Sequence, residues 1–191
     1  FAPIPDFIAF KIGLDNSVMG EGVGIAGIKP LQYRQYELLK TFSSTEKLKR
    51  LYKNHPSEAV KCYSFWALTE WLNSKELFNL LKYGLLDNRE VSTMFGCFIG
   101  HSTVADLLIE ESRSVISKSD SLILDSLILF SNKDLGSRHS LLLAIKPEAR
   151  YYKRIKELAT NKNAPTAIIA LAKFRKEVDT VLIIRQITDS L

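Results

Sequence analysis

The residue types able to do chemistry are few, and most of them fall in one stretch. Between Asn54 and Leu72 the chain carries His55, Glu58, Lys61, Cys62, Trp66, Glu70 and Trp71. A histidine, a thiol and two carboxylates in one short segment are the ingredients of acid–base or nucleophilic catalysis, which requires a nucleophile within hydrogen-bond reach of its base. The spacing argues against it. Pro56 follows His55 directly, and a proline is tolerated at a first helical position, where the missing N–H has no partner to lose. Along the helix that follows, Val60, Tyr63, Ala67 and Trp71 form one apolar stripe and Ala59, Cys62 and Trp66 a second beside it. Cys62 and the tryptophans therefore read as core. Glu58, Lys61 and Glu70 read as the polar edge where a partner would touch this helix.

The remaining signatures are weaker. His55, His101 and His139 are too dispersed for a local zinc motif. Cys62 and Cys97 both lie in apolar runs read as helical, so both are expected as buried free thiols rather than a disulfide framework. Gly22-Val-Gly24-Ile-Ala-Gly27 matches the glycine pattern of dinucleotide-binding turns, but Lys29-Pro30 follows where a helix would have to open, and no βαβ unit comes after. A flexible or capping segment is expected there instead. Walker loops, Gly-x-Ser-x-Gly elbows, His-Glu-x-x-His pairs and EF-hand loops do not occur. No catalytic residue, metal site or cofactor is expected.

Charge marks a second candidate surface. The formal net charge is +5, and residues 146–191 hold ten of the Lys and Arg against five Asp and Glu. Arg150, Lys153, Arg154, Lys173, Arg175 and Lys176 are its candidate binding residues, suited to an acidic protein, a nucleic acid or an anionic surface.

These residues need elements to position them. With 46% hydrophobic and 25% charged residues among 191, the composition is that of a globular chain with a packed core. Residues 1–30 hold five of the nine glycines and three of the six prolines, and are expected to form an irregular N-terminal segment or cap, with Ile8 to Leu14 a short strand or a helical turn. From Pro30 onward the periodicity is helical. Leu31, Tyr33, Tyr36, Leu38 and Leu39 mark a first helix. Ser43 or Ser44 caps a second, striped by Leu48, Leu51 and Tyr52. After the helix at Pro56, the pattern predicts helices over 77–86 and 91–99, the latter with Gly96 and Gly100 as close-packing positions. Further helices are expected over 104–111, 122–130, 139–145, 150–159 and 168–171, and Asp179 reads as the cap of a last one running to about Ile187, a segment whose β-branched residues also fit a strand.

A helix, a short polar turn and a second apolar helix recur at about 35 to 40 residues. Leu48, Leu51, Asn54, Pro56, Val60, Lys61 and Ala67-Leu68 carry this pattern best, and it resembles the HEAT/armadillo-like helical repeat superfamily. The resemblance implies an all-α, HEAT-like α-α superhelix, a solenoid of about four helix pairs spanning residues 31–191. It also implies a non-enzymatic protein-binding module, such as an adaptor, a scaffold or an inhibitor of an acidic partner. The alternative is DNA binding, or a DNA glycosylase-like enzyme, in which Lys153, Arg154, Lys173, Arg175 and Lys176 contact phosphates, Trp66 or Trp71 stacks on a base and Glu70 is the acid. No run reaches the length of a membrane span. The free cysteines and the absence of a visible secretory leader favour the cytoplasm, and the oligomeric state is not indicated.

Overall fold

The helix expected at Pro56 is the centre of the first of two compact units, Phe1–Ser121 and Leu122–Leu191. The structure, a computed structural model, describes residues 3–161 and 164–188, with the backbone alone at 186 and 187. Phe1, Lys162 and Asn163, and the side chain of Ile187, lie outside the described residues.

In the first unit α4 (Glu58–Thr69) begins where the Ser57 hydroxyl accepts the Val60 N–H at 3.2 Å. It is covered by α1 (Ile4–Asp15), α2 (Leu31–Phe42), α3 (Thr45–Asn54) and α6 (Val104–Ser112). Ala59, Val60, Cys62, Tyr63, Phe65, Ala67 and Leu68 are all fully buried. Each large side chain among them contributes about 1.5–3 kcal/mol of hydrophobic stabilisation, which makes α4 the core of the unit. α3 is introduced by Ser44, whose hydroxyl accepts the Lys47 N–H, and turns Leu48, Leu51 and Tyr52 inward. α5 (Ser74–Gly84) starts at an Asn73 cap and packs on α6. The packing is tight at Gly84, where a Cβ would stand 2.3 Å from both Leu108 and the Tyr52 hydroxyl. That hydroxyl is held in place by its bond to the Leu80 carbonyl at 2.8 Å.

The expectation of an all-α chain is corrected by a three-stranded sheet in this unit. β1 (Ser17–Val23) runs parallel to β2 (Glu90–Gly96), and β2 pairs antiparallel with β3 (Phe98–Thr103). The stretch read as a helix over 91–99 is thus a hairpin. Val91 and Thr93 alternate inward with exposed Glu90 and Ser92, a period of two, and Gly96 at φ +57° opens a two-residue turn with Cys97. Gly96 and Gly100 serve this hairpin rather than close helix packing, and Cys97 is exposed on the turn instead of buried. The N-terminal segment is likewise more regular than expected. Ile8, Ala9 and Ile12 seat α1 on the core, Asn16 ends it in the left-handed region, and Gly24 and Gly27 allow a tight turn closed by the Val23–Ile28 bridge. The fold is predominantly helical with a small mixed sheet.

The unit boundary falls within α7 (Lys118–Phe130). The second unit adds α8 (Gly136–Ala144), α9 (Ala149–Ala159), α10 (Pro165–Ala172), a 3-10 turn over Glu177–Asp179 and α11 (Thr180–Thr188). α10 packs against α8, α9 and α11. Its buried Ala167, Ala170 and Leu171 meet a neighbour, α9, that buries Tyr151, Ile155 and Ala159, and the alanines permit close approach. Among the described residues no helix is long and apolar enough to cross a membrane.

Candidate functional site

The loop between α5 and β2 supplies the residues that decide what Glu58 and Lys61 do. Asp87 and Arg89 lie two residues apart there, and the guanidinium grips the carboxylate with both arms, Nε to Oδ1 at 2.8 Å and Nη2 to Oδ2 at 2.6 Å. Arg89 Nη1 reaches Glu58 at 2.8 Å and the Pro56 carbonyl at 3.0 Å, while Lys61 Nζ stands 3.2 Å from Asp87. Asn16, at the end of α1, donates to Glu58 at 2.7 Å and accepts from the Ser57 hydroxyl at 2.6 Å and the Ala59 N–H at 3.1 Å. Two anions and two cations alternate, so their charges cancel locally. The network ties the ends of α1 and α4 to the α5–β2 loop.

Its chemistry is that of a clamp. Arg89, and then Lys61, draw the Asp87 carboxyl down to about 2, so it has no proton to give near neutrality. Burial pushes the Cys62 thiol and the Tyr52 and Tyr63 phenols far up, which removes them as nucleophiles or bases. Burial also lowers His55, whose Nδ1 accepts the Ser57 N–H at 3.1 Å. A cleft of about 600 Å³ opens beside the network between Tyr52, Tyr83, Asp87 and Arg89, yet the charged groups on its wall are already paired.

The network predicts a pH response. The folded-state value of Asp87 lies below its ordinary 3.8, so its stabilisation is present above that value and is lost as pH falls through about 2. After allowance for solvent screening at the half-exposed Arg89, about 1–2 kcal/mol is expected. Asp87→Asn should lower the urea midpoint at neutral pH, and its difference from the unsubstituted chain should shrink on acidification. Parallel pH profiles for the two proteins would refute the assignment.

The other sequence candidates are not gathered with these. Glu70 lies one helix length away, about 18 Å along α4, and pairs with Lys40 at 2.7 Å. Trp66 sits among Tyr36, Tyr63 and Phe95 with ring centroids 5.3–6.2 Å away, whereas Trp71, read as core, is 43% exposed. In the second unit, Arg154 donates to the Leu129 carbonyl at 3.0 Å and the Ser131 carbonyl at 2.9 Å. It is joined there by Arg138, 3.2 Å from the Ile128 carbonyl. Lys173 reaches the Leu142, Leu143 and Ile145 carbonyls. Arg154 and Lys173 thus cap the carbonyl ends of α7 and α8, where a helix leaves acceptors unsatisfied and favours positive charge. Arg150 pairs with Glu148 at 2.9 Å and lies over Tyr151, and Lys176 lies 3.4 Å from the centre of the Tyr152 ring. Lys153 and Arg175 are exposed. His139 faces Thr166 at 3.1 Å on a cleft of about 520 Å³ that Arg138 and Arg154 also line. Among the described residues no group of three or more His, Cys, Asp or Glu is placed to hold a metal ion.

Sequence reasoning missed the exposed apolar surface. α1 turns Ile4, Phe7, Phe10 and Leu14 outward, each 55–65% exposed. Their 3- and 4-residue spacing was the available signal, hidden because the opposite face of the same helix is apolar too. A cleft of about 440 Å³ adjoins this stripe between Phe10, Gly13, Leu14, His55 and Pro56. At the sheet, Ile25, Phe98 and Ile99 are 78–100% exposed. No protein-family model, curated protein or solved structure matches the chain.

Proposed function

We propose that the chain is a non-enzymatic protein-binding module, an adaptor or scaffold whose helix pairs stack in a HEAT/armadillo-like array. The observation that carries this is α1, which is apolar on two opposite faces with Asp6, Lys11 and Asp15 at the borders between them. Such a helix is ordinarily covered on more than one side. Its inner face is covered by α2 and α4, while Ile4, Phe7, Phe10 and Leu14 face outward. Together they expose on the order of 500 Å², the size at which an apolar patch marks an interaction site. The spacing suits the apolar face of a partner helix laid along α1, with one anchoring side chain entering the cleft at Gly13 and Pro56. The helix pairs α3–α4 and α9–α10, the second helix of each introduced at a proline, support the repeat reading. The nucleic-acid alternative draws less support, because Arg154 and Lys173 are occupied as helix caps.

The test places a photo-crosslinking side chain at Leu14 and measures capture of a protein partner from source cells. Phe7→Glu is expected to weaken that capture by about tenfold or more, the effect of losing an interface anchor, while circular dichroism stays unchanged because Phe7 is surface-exposed. Retention of duplex DNA at low salt, with affinity falling steeply as salt rises and indifferent to Phe7→Glu, would sink this reading.

A further inference from the structure

The sheet has two outer edges, and the fold treats them differently. On β1 three of the outward backbone groups, at Ser17 and Met19, are satisfied by buried side chains. Gln32 donates to the Ser17 carbonyl at 2.9 Å, and the Tyr63 hydroxyl accepts the Met19 N–H at 2.7 Å and donates to the Met19 carbonyl at 3.0 Å. On β3 nothing comparable is present among the described residues. The two-residue turn closes on the Phe95–Phe98 pair, which in such a hairpin exchanges both ladder bonds, and the alternation continues through Thr93–Gly100 and Val91–Ser102. The N–H and C=O groups of Ile99 and His101 therefore point away from β2. Phe98 and Ile99 beside them are 83% and 78% exposed. β3 carries none of the devices that ordinarily blunt an edge: it has no lysine, no proline and no bulge.

We infer that β3 is the pairing edge for a second copy of this chain, running antiparallel to itself about a two-fold axis at Gly100. This register is fixed by the backbone. It sets Ile99 opposite His101 of the second copy and the reverse, so the four outward groups on each strand find four partners. It also suits the side chains. Phe98 falls opposite Ser102 and diagonally over Gly100 of the second copy, where an aromatic ring covers backbone that glycine leaves bare. β3 contains no charged residue, so self-pairing opposes no like charges. One strand per copy buries less than the roughly 800 Å² per partner of a stable complex, and the dimer is accordingly weak, with a midpoint on the order of tens of micromolar. This surface is separate from the α1 stripe, and its failure would leave the partner-binding reading untouched.

Sedimentation velocity of the whole chain from about 1 to about 500 µM, joined to amide hydrogen exchange, tests it. The dimer should grow with concentration, and exchange at Ile99 and His101 should slow by about fivefold across that range. Ile99→Lys and His101→Pro should raise the midpoint at least about tenfold, whereas Phe7→Glu should not move it. Proline at 101 removes only an outward N–H, so continued protection of the Phe98 and Gly100 amides will show that the hairpin itself is intact. A chain that stays monomeric throughout, or a dimer that Phe7→Glu breaks and the edge substitutions leave, would overturn the assignment. Should a substitution unfold the hairpin, the concentration dependence of exchange at Ile99 and His101 in the unsubstituted chain decides alone.

Discussion

Replacing Asp179 by alanine is expected to cost the Leu122–Leu191 unit about 2–3 kcal/mol. Asp179 is 1% exposed and lies in the 3-10 turn that leads into α11. The sequence reading placed it as a cap for that helix, but its carboxylate looks the other way, toward α9. The Tyr152 hydroxyl donates to its oxygens at 3.1 and 3.0 Å, and Lys156 Nζ lies at 2.7 Å. Tyr152 in turn meets Phe174 at a tilt, ring centroids 5.3 Å apart, and carries Lys176 over its face. One buried carboxylate thus joins α9 to the segment that follows α10. Alanine removes the acceptors and leaves a small void, and both terms are destabilising. The Lys156 side chain is 37% exposed, so its ammonium returns to water rather than remaining as a buried unpaired charge, which keeps the loss below that of a fully buried ion pair. Tyr152→Phe should cost about 1–2 kcal/mol. The double substitution should cost little more than Asp179→Ala alone, because both changes delete the same bonds. Urea unfolding of the four proteins measures this cycle, and strict additivity would show that the two residues do not act together.

How much of this was legible beforehand depends on whether the deciding contact is local. Ser44, one of the two candidate caps, starts α3 as read, because a cap acts on N–H groups within three residues of itself, whereas Pro56, read as a first helical position, lies two residues before α4, whose cap is Ser57. The burial of Cys62 and Tyr63 follows from the 3.6-residue period of α4. The sheet was hidden for the opposite reason. β1 pairs with β2 through contacts such as Val18 with Thr93, far apart in sequence, and neither strand alone shows a long alternation. The hairpin did leave a local trace. Gly96-Cys97 sits between two phenylalanines, with Val91, Thr93, Ile99 and Thr103 on the flanking arms, and glycine as the first residue of a two-residue loop is a hairpin signal. An apolar run read with a helical period concealed it. Glu58 and Lys61 were rightly placed on the polar edge of α4, but their partners Asp87 and Arg89 arrive from a loop whose path no local rule predicts.

The same reasoning about edges gives the second large effect. Tyr63→Phe is expected to destabilise the Phe1–Ser121 unit by about 2 kcal/mol while leaving its packing in place. Tyr63 is fully buried, and its ring stacks on Tyr36 at 5.0 Å and meets Trp66 edge-on at 5.3 Å. Phenylalanine keeps those contacts, so the change isolates the hydroxyl. That hydroxyl is bonded to both polar groups of Met19, and its loss leaves a backbone N–H and C=O unpaired in a part-buried strand. The Met19 amide should then exchange faster by more than the global loss of stability accounts for. A loss below about 0.5 kcal/mol with the Met19 amide still protected would show that the hydroxyl does not close this edge. If it does close it, α4 has two tasks in the sheet region: it fills the core, and through Tyr63 it keeps β1 from pairing outward. Together with Gln32 at the Ser17 carbonyl, that phenol turns β1 away from an added strand and leaves the β3 edge as the one proposed for pairing.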